Sequence, residues 1–419
     1  MNKITPSISV IIPTHNRSAS LKRNLDALKL QTYPLQEMEV IVVADGCNDG
    51  TLEMLCNYEV PFALKVIEQP GQGAATARNQ GAASATGSLL LFLDDDIEAS
   101  PHLVEAHIKA HQFHPELVVI GYLPPRLQNS SSFFHIQLGT WWETKFQSMR
   151  QLGHRYTYED LLSGNFSLEA ELFQRIGGFN TTFRCREDYE LGARLIKAGA
   201  DFVFAHNALG YHHDEVTNLD RSLSRKRNEG RADILFGRCH PDLIPNLRLY
   251  YFGTPVSWLD RLIIFLSFSI PALTDLLAAG SRWLLNVLES LRMRGFWQNL
   301  NERLHGYWYF RGVVDELKTH KGLASFLQGG SIRPDQSGVE IELDLQEGLS
   351  LAEQQLDKKR PAAARLRYGQ YAVGRIPCQS GAERLRGVHL RPILAHTLAF
   401  SLLQALAMEG AINKFTSVD

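Results

Sequence analysis

The sequence predicts an α/β fold in which a mostly parallel sheet is flanked by helices. Three observations carry this. Short apolar runs alternate with segments whose apolar residues recur at helical spacing, the pattern of right-handed βαβ units. One run, Leu89-Leu90-Leu91-Phe92-Leu93, is apolar without alternation, as a strand buried on both faces must be. Three carboxylates, Asp94, Asp95 and Asp96, follow it at once, and ligands of open α/β sheets bind beyond the carboxyl ends of strands. Side chains alternate along an extended backbone, so Asp94 and Asp96 can point the same way. Two oxygen donors on one side suit a hard divalent ion such as Mg2+ or Mn2+. The plainer alternative is a solvated acidic turn ahead of a helix near Pro101.

The individual elements follow in order. Ile8–Ile12 reads as the first strand, stopped by Pro13. After the loop Pro13-Thr14-His15-Asn16-Arg17, Ser18 or Ser20 is expected to cap a helix with Leu21, Leu25 and Leu28 on one face. Gln31-Thr32-Tyr33-Pro34 ends that helix, because the residue before proline avoids the α region. Glu39–Val43 is the second strand, Thr51 opens a helix, and Leu64–Ile67 is a third strand. Gly71-Gln72-Gly73 precedes a small-residue helix, Ala74–Ala85. That turn suits a phosphate, and close packing of the helix on the sheet explains its alanines equally well. A helix over His102–Phe113 and a strand at Val118–Ile120 come next. Residues 122–160 read as a long irregular loop carrying Pro124-Pro125, Ser130-Ser131-Ser132 and Trp141-Trp142, and such loops are commonly binding regions. Ser163–Leu168 is expected to be a strand running into a turn, and Glu187-Asp188 opens a helix reaching Ala198, where acidic residues suit the dipole. A strand at Asp201–Ala205 leads to Tyr211-His212-His213-Asp214.

The order of motifs then becomes specific. IIPTHNR (11–17), QTYP (31–34), VVADGCNDGT (42–51), ARNQG (77–81), LFLDDD (91–96) and EDYELGARL (187–195) stand in one sequence over roughly residues 6–215. In this the chain resembles the family 2 glycosyltransferases of the GT-A fold. The resemblance implies inverting transfer of a sugar from a nucleotide diphosphate sugar, most simply a UDP-sugar, to a hydroxyl of a glycan or lipid-linked acceptor, assisted by Mn2+ or Mg2+. Carried over by position, Pro13 and Thr14 would line the nucleotide pocket with Asn16 and Arg17, and Asp45 would accept from the base. Arg78 would sit near the nucleotide, Asp94 near ribose and metal, and Asp95 nearby. Asp96 would hold the metal, with His212 or His213 as a further metal or phosphate contact. Gly164 and Asn165 would lie beside the donor sugar. Asp188 would be the general base, with Glu187 tuning or orienting it. Two departures stand out: Ala44 replaces a common acidic residue, and Cys47 a common serine. The Gln-x-x-Arg-Trp pattern of processive synthases is absent after Asp188, which implies addition of one or a few sugars.

The chemistry asks for these groups. A leaving nucleoside diphosphate gains negative charge that a divalent ion stabilises without a proton donor. The attacking hydroxyl loses a proton to one carboxylate, a contribution of typically ~10²–10⁴-fold. Two rival classes are a nucleotidyltransferase, which typically carries a Gly-rich, Lys/Arg-containing loop after the first strand that PTHNR does not supply, and a non-catalytic sugar-nucleotide-binding protein, in which Asp188 or Asp96 would be dispensable.

At 419 residues the chain is long enough for two or three domains. We expect the transferase domain at 1–235, a helical region that is membrane-associated or an interface at 236–330, and a small α+β unit at 331–419. The net charge of −2 provides no global field for nucleic acid. Cys47, Cys56, Cys185, Cys239 and Cys378 are scattered without CxxC spacing, as in a reducing compartment without structural zinc. Met1–Pro6 is not the pattern of a signal peptide, so the expected location is cytoplasmic, with peripheral contact at the inner membrane face. Arg221, Arg225, Lys226, Arg227 and Arg231 form a basic run, read as a solvated helix face, a segment closing over the diphosphate, or a contact with anionic lipid. Residues 256–291 are apolar but interrupted, and Leu262–Leu273 is shorter than the ~20 residues of a spanning helix. They fit a helix lying in the membrane interface, a buried hairpin, or a subunit interface such as a homodimer's. After a linker at Ser331–Pro334, alternation from Val339 to Leu345 predicts a half-buried strand. A helix at Leu349–Lys359, a strand near Tyr371–Ile376, and a helix with Pro392 early and reaching Met408 complete the chain.

Overall fold

The structure, a computed structural model, describes residues 8–112, 116–126, 132–213, 219–252, 258–330 and 340–412. Its first half is a βα alternation: β1 (Ile8–Thr14), α1 (Ser18–Leu28), β2 (Met38–Asp45), α2 (Thr51–Cys56), β3 (Ala63–Gln69), α3 (Ala74–Ala83) and β4 (Leu89–Leu93). These four strands are parallel neighbours in the order β3-β2-β1-β4. All of β1 and β4 is buried, and so is β2 apart from half-buried Glu39. That is why their sequences run apolar rather than alternating.

The sheet continues through β5 (Ile97–Ala99), α4 (Leu103–His111), β6 (Leu117–Tyr122), α5 (Phe133–Arg150), β7 (Asn165–Glu169), α6 (Ala170–Ile176), α7 (Glu187–Lys197) and β8 (Asp201–His212). The full order is β3-β2-β1-β4-β7-β6-β8-β5. Here β7 is antiparallel to both β4 and β6, and β5 to β8, so the second half is mixed. Phe92 of β4 stacks on Phe166 of β7 at 4.9 Å between ring centroids and meets Phe179 edge-on at 5.4 Å.

Beyond the sheet come α8 (Leu219–Cys239), α9 (Arg248–Phe252), α10 (Trp258–Ser269), α11 (Pro271–Ser290), α12 (Arg294–Leu317) and α13 (His320–Gly329). Helices α8 and α12 cross closely because Gly230 faces the Tyr309 carbonyl and Gly312 the Arg227 carbonyl, with no room for a Cβ at either. In the basic run of α8, Arg225, Lys226, Arg227 and Arg231 are ion-paired, while Arg221, Arg225 and Arg231 remain exposed. Arg227 and Arg231 converge with Arg311 on Asp315, while Arg225 and Lys226 pair with Glu229. No single helix among the described residues is long and apolar enough to cross a membrane. The last part comprises β9 (Glu340–Asp344), α14 (Leu349–Lys359), β10 (Ala363–Tyr368), β11 (Tyr371–Ile376), α15 (Gly387–His396) and α16 (Ala399–Met408). Its sheet, β11-β10-β9, covers its own apolar core around Leu343, Leu356, Leu366 and Leu390.

Several expectations are corrected. Much of the expected loop 122–160 is the 18-residue helix α5, which buries Trp142, Phe146 and Met149 on one stripe. Neither Ser18 nor Ser20 caps α1; Arg17 holds the cap position, and the Ser18 amide donates to Asp49 Oδ2 at 3.1 Å. Strands β5 and β10 were not anticipated, and β8 runs on to His212. Pro392 lies inside α15, and the expected terminal helix is two helices bent by 84°. A domain boundary after residue 235 would cut α8. Positions 113, 130–131, 214, 256–257, 331–334 and 339 of the expected elements lie outside the described residues.

Candidate active site

The sheet brings the sequence motifs to one edge. Strand β1 includes Pro13, paired with Val43, and ends at buried Thr14. Asn16 then turns the chain with φ 53°, which asparagine tolerates better than most residues. At the end of β2, the Asp45 carboxylate accepts from Gln69 Nε2 at 2.7 Å, the Gln72 amide at 2.6 Å and the Gly73 amide at 2.8 Å. Burial opposes its charge, but these donors hold its carboxyl below the usual range. Two of the three bonds go to Oδ1, so Oδ2 keeps acceptor capacity. Gly46 beside it has φ 66°, and a Cβ there would meet the Gly71 backbone.

The three carboxylates after β4 do not alternate as a strand would place them. The strand ends at Leu93 and the chain turns, so each takes a different partner. Asp94 Oδ1 accepts from Arg78 Nη2 at 2.7 Å. Asp95 Oδ2 accepts from Thr14 Oγ1 at 2.7 Å, and its Oδ1 faces Arg17 Nη1 at 3.2 Å. Asp96 Oδ2 accepts from Arg17 Nη1 at 2.8 Å. Burial pushes the Asp95 carboxyl up to about 7 against the pull of Arg17 and Thr14. For Asp96, burial is outweighed by His212 and Arg17, which hold it below the usual range.

Asp96 Oδ1 is buried without a hydrogen-bond partner and stands 3.5 Å from His212 Nε2. One carboxylate oxygen and one imidazole nitrogen therefore converge, a donor pair that fits Mn2+ or a similar divalent ion. The rest of the expected metal set is elsewhere. Asp94 is engaged by Arg78, and His213 Nε2 lies 2.7 Å from Glu98 Oε2, which Arg126 also contacts. Among the described residues, no group of three or more His, Cys, Asp and Glu side chains is arranged to hold a metal. Trp142 of α5 meets the His212 ring edge-on at 5.4 Å.

Gly164 lies against Asp94: its carbonyl accepts from the Asp94 amide at 3.1 Å, and a Cβ on it would meet Asp94 Oδ2. The Asn165 side chain turns away, which corrects the expected donor contact. It is fully buried, with Oδ1 2.8 Å from His107 Nε2 and Nδ2 donating to the Ala208 carbonyl at 2.9 Å.

Arg78 joins the two acidic motifs. It is 3% exposed, and its Nη1 donates to Glu187 Oε1 at 2.9 Å while Nη2 holds Asp94. Asp188, next to Glu187, is half-buried at the start of α7 and accepts from the Tyr189 amide at 2.9 Å. Burial first, then the Glu187 charge, push its carboxyl up to about 6. Sequence reasoning missed Arg186. It holds the α7 cap position with φ 63°, lies 2.9 Å from Asp233 and 3.2 Å from Glu229 of α8, and borders a small recess with Tyr189 and Arg248. Its only signal in the sequence is its place before Glu187-Asp188.

Residues 9–177 match the family model described as Glycosyl transferase family 2, and residues 145–215 match one described as N-terminal domain of galactosyltransferase. A validoxylamine A glucosyltransferase of Streptomyces hygroscopicus subsp. jinggangensis is 31% identical over 58% of this chain and 63% of its own length. Glycosyltransferase AglE of Haloferax volcanii is 27% identical over 51% of this chain and 68% of its own. The match thus spans less than two thirds of the first of these relatives. Mannosyltransferase PcManGT from Pyrobaculum calidifontis, solved with GDP-Man and Mn2+, aligns with a TM-score of 0.49 and 18% identity over 75% of this chain and 88% of that one, a likeness too distant to carry an argument.

Proposed function

We propose, from the match of residues 9–177 to the model described as Glycosyl transferase family 2, that the chain is an inverting transferase. It would move a sugar from a nucleotide diphosphate sugar to a hydroxyl of a glycan or lipid-linked acceptor. The observation that carries the reading is the single buried guanidinium of Arg78, which ties Asp94 at the end of β4 to Glu187 beside Asp188. In this reading one side chain holds the donor-side carboxylate and the neighbour of the acceptor-side carboxylate together.

In this mechanism Asp188 takes the proton of the acceptor hydroxyl as its oxygen attacks the anomeric carbon. The new carbon–oxygen bond forms as the sugar–phosphate bond breaks, and that bond's electrons leave with the diphosphate. A single base on one face suits one displacement, hence inversion. A carboxyl near 6 is a better proton acceptor than an ordinary aspartate and is still charged at neutral pH. Asp45 Oδ2 is available to a base N–H, and Thr14, Asn16 and Arg17 stand at the same strand end. Asp96 and His212 are the residues that would hold a divalent cation, which when bound would stabilise charge on the diphosphate as a Lewis acid. All five cysteines are free, which supports a cytoplasmic setting.

Turnover of a panel of nucleotide sugars with Mn2+, beginning with UDP-sugars, tests the reading. Asp188→Asn is expected to lower kcat by ~10²–10⁴-fold while a thermal shift on adding the nucleoside diphosphate is kept. Equal release of nucleoside diphosphate by both proteins rejects the base assignment. Release of pyrophosphate from a nucleotide triphosphate and a sugar phosphate would instead identify a nucleotidyltransferase, and binding without turnover a non-catalytic protein.

A further inference from the structure

We propose that α10 and α11 form a docking face for the surface of an anionic lipid bilayer, lying in its interface without crossing it. On α11 the usual order is inverted. Leu273, Leu276, Leu277, Trp283 and Leu284 are exposed, Leu276 at 69% and Trp283 at 68%. The acids of that helix turn inward: Asp275 accepts from Tyr307 at 2.5 Å and from Arg311 at 3.1 Å, and Glu289 accepts from the Phe133 amide at 2.8 Å. Helix α10 adds exposed Phe265 and, at its start, exposed Trp258. A contiguous apolar surface of this kind marks a docking site rather than a solvated helix.

Charge selects the occupant. From 261 to 296, every exposed charged side chain is an arginine: Arg261, Arg292, Arg294 and Arg282, the last paired with Asp220 of α8. Arginines around an apolar helix face that also presents Trp258 and Trp283 match an interface of acyl chains below anionic headgroups. A second copy of this chain fits less well, because a two-fold contact sets the same patch against itself and would bring arginines together. The break at Ile270-Pro271 leaves α10 with 12 residues, and α11, at 20 residues, carries Asp275, Arg282 and Glu289, so neither is long and apolar enough to cross.

The face connects to the active site. Helix α5 starts against the inward side of α11, where the Phe133 amide donates to Glu289 at 2.8 Å and the Phe133 ring meets Trp297 of α12 edge-on at 5.7 Å. Nine residues later, about 14 Å along a helix, Trp142 contacts His212. A lipid-linked acceptor would be delivered beside the site by this geometry, a corollary that rests on the transfer proposed above. The docking face itself does not.

The test is flotation of the full chain with vesicles of phosphatidylcholine alone and with vesicles containing about one quarter phosphatidylglycerol, a bilayer of clear anionic potential. The chain is expected to float with the anionic vesicles and much less with the neutral ones. Leu276→Glu with Trp283→Glu, both at exposed positions, should weaken flotation at least about tenfold, since two apolar anchors become repelled charges. Its circular dichroism and its release of nucleoside diphosphate without vesicles should stay unchanged. Arg292→Glu with Arg294→Glu provides a second variant that keeps the apolar face and should lose the anionic preference. Equal flotation of wild type and the first variant, no flotation of wild type, or a dimer that the first variant converts to monomer without changing flotation would each overturn the proposal. Loss of flotation with turnover intact, or the reverse, separates this inference from the catalytic one.

Discussion

Asp188 sits where two opposing influences meet. Burial and the Glu187 charge raise its carboxyl, while the Tyr189 amide, Arg78 and Arg186 favour its ionised form. The net result near 6 makes a pH prediction with a definite sign. A base works only when deprotonated, so kcat/KM should fall as pH drops through about 6, the position of this carboxyl. Glu187→Gln removes the like charge and should move that limb to lower pH. An acidic limb near the ordinary aspartate value in wild type, or no movement in the variant, would count against Asp188 as the base. The residue identities at this site were legible because short motifs sit at strand ends. Their pairings were not. Alternation suggested that Asp94 and Asp96 would act together, but the strand ends at Leu93, and the turn sends one to Arg78 and the other to Arg17 and His212. Asn165 misled for a related reason: a position beside the donor says nothing of which way the side chain points.

At the scale of elements, long apolar strands were readable and aromatic helices were not. Helix α5 carries Trp, Phe and Thr in place of strong helix formers, and its helicity comes from packing Trp142, Phe146 and Met149 inward. The α8–α12 crossing was equally invisible, since a glycine in a helix has several meanings. Here Gly312 has one: a Cβ would fall 1.9 Å from the Arg227 carbonyl oxygen. Gly312→Ala is therefore expected to destabilise the protein by about 1–3 kcal/mol through overpacking, despite the better helix propensity of alanine. Chemical denaturation reads this, and a neutral or stabilising outcome would show that the helices separate freely. A second prediction concerns α4 against β7. His107 is fully buried between Asn165 and Ser167, and burial pushes it down to about 3. Its stabilising contribution is full above the unfolded value near 6.5 and is lost as pH falls toward 3, because the unfolded chain takes up the proton first. Unfolding free energy should thus decline by a few kcal/mol between pH 7 and pH 4, at about 1.4 kcal/mol per unit of pH for such a group. His107→Gln should show a shallower decline.

For the whole molecule, the question is why a small unit with its own core, β9 to α16, is joined to the large sheet. The chain answers at 155–158. Arg155 donates to the carbonyls of Glu383 at 2.8 Å, Pro377 at 3.1 Å and Ala362 at 3.1 Å. The Tyr156 amide donates to Glu383 Oε1 at 3.2 Å, and the Tyr158 amide to the Gly381 carbonyl at 3.1 Å. Behind this seam, Gly192 of α7 packs directly on the Tyr158 backbone, and α7 begins with the Glu187-Asp188 pair. Docking of the small unit thus braces the helix that carries Asp188, the proposed base. Arg155→Ala removes three carbonyl contacts made by one charged donor, worth roughly 1.5–3 kcal/mol each before non-additivity. We expect a total loss of about 3 kcal/mol, concentrated at the seam. Hydrogen exchange reads it by position: the Tyr156 and Tyr158 amides should lose protection in the variant while those of β1 and β4 keep theirs. A cooperative brace also predicts that kcat falls more than nucleotide affinity, because α7 moves while the β1 and β2 ends stay in place. Uniform loss of protection across the sheet would mean that Arg155 supports global stability instead. Unchanged exchange at Tyr158 would show that the small unit holds on without Arg155.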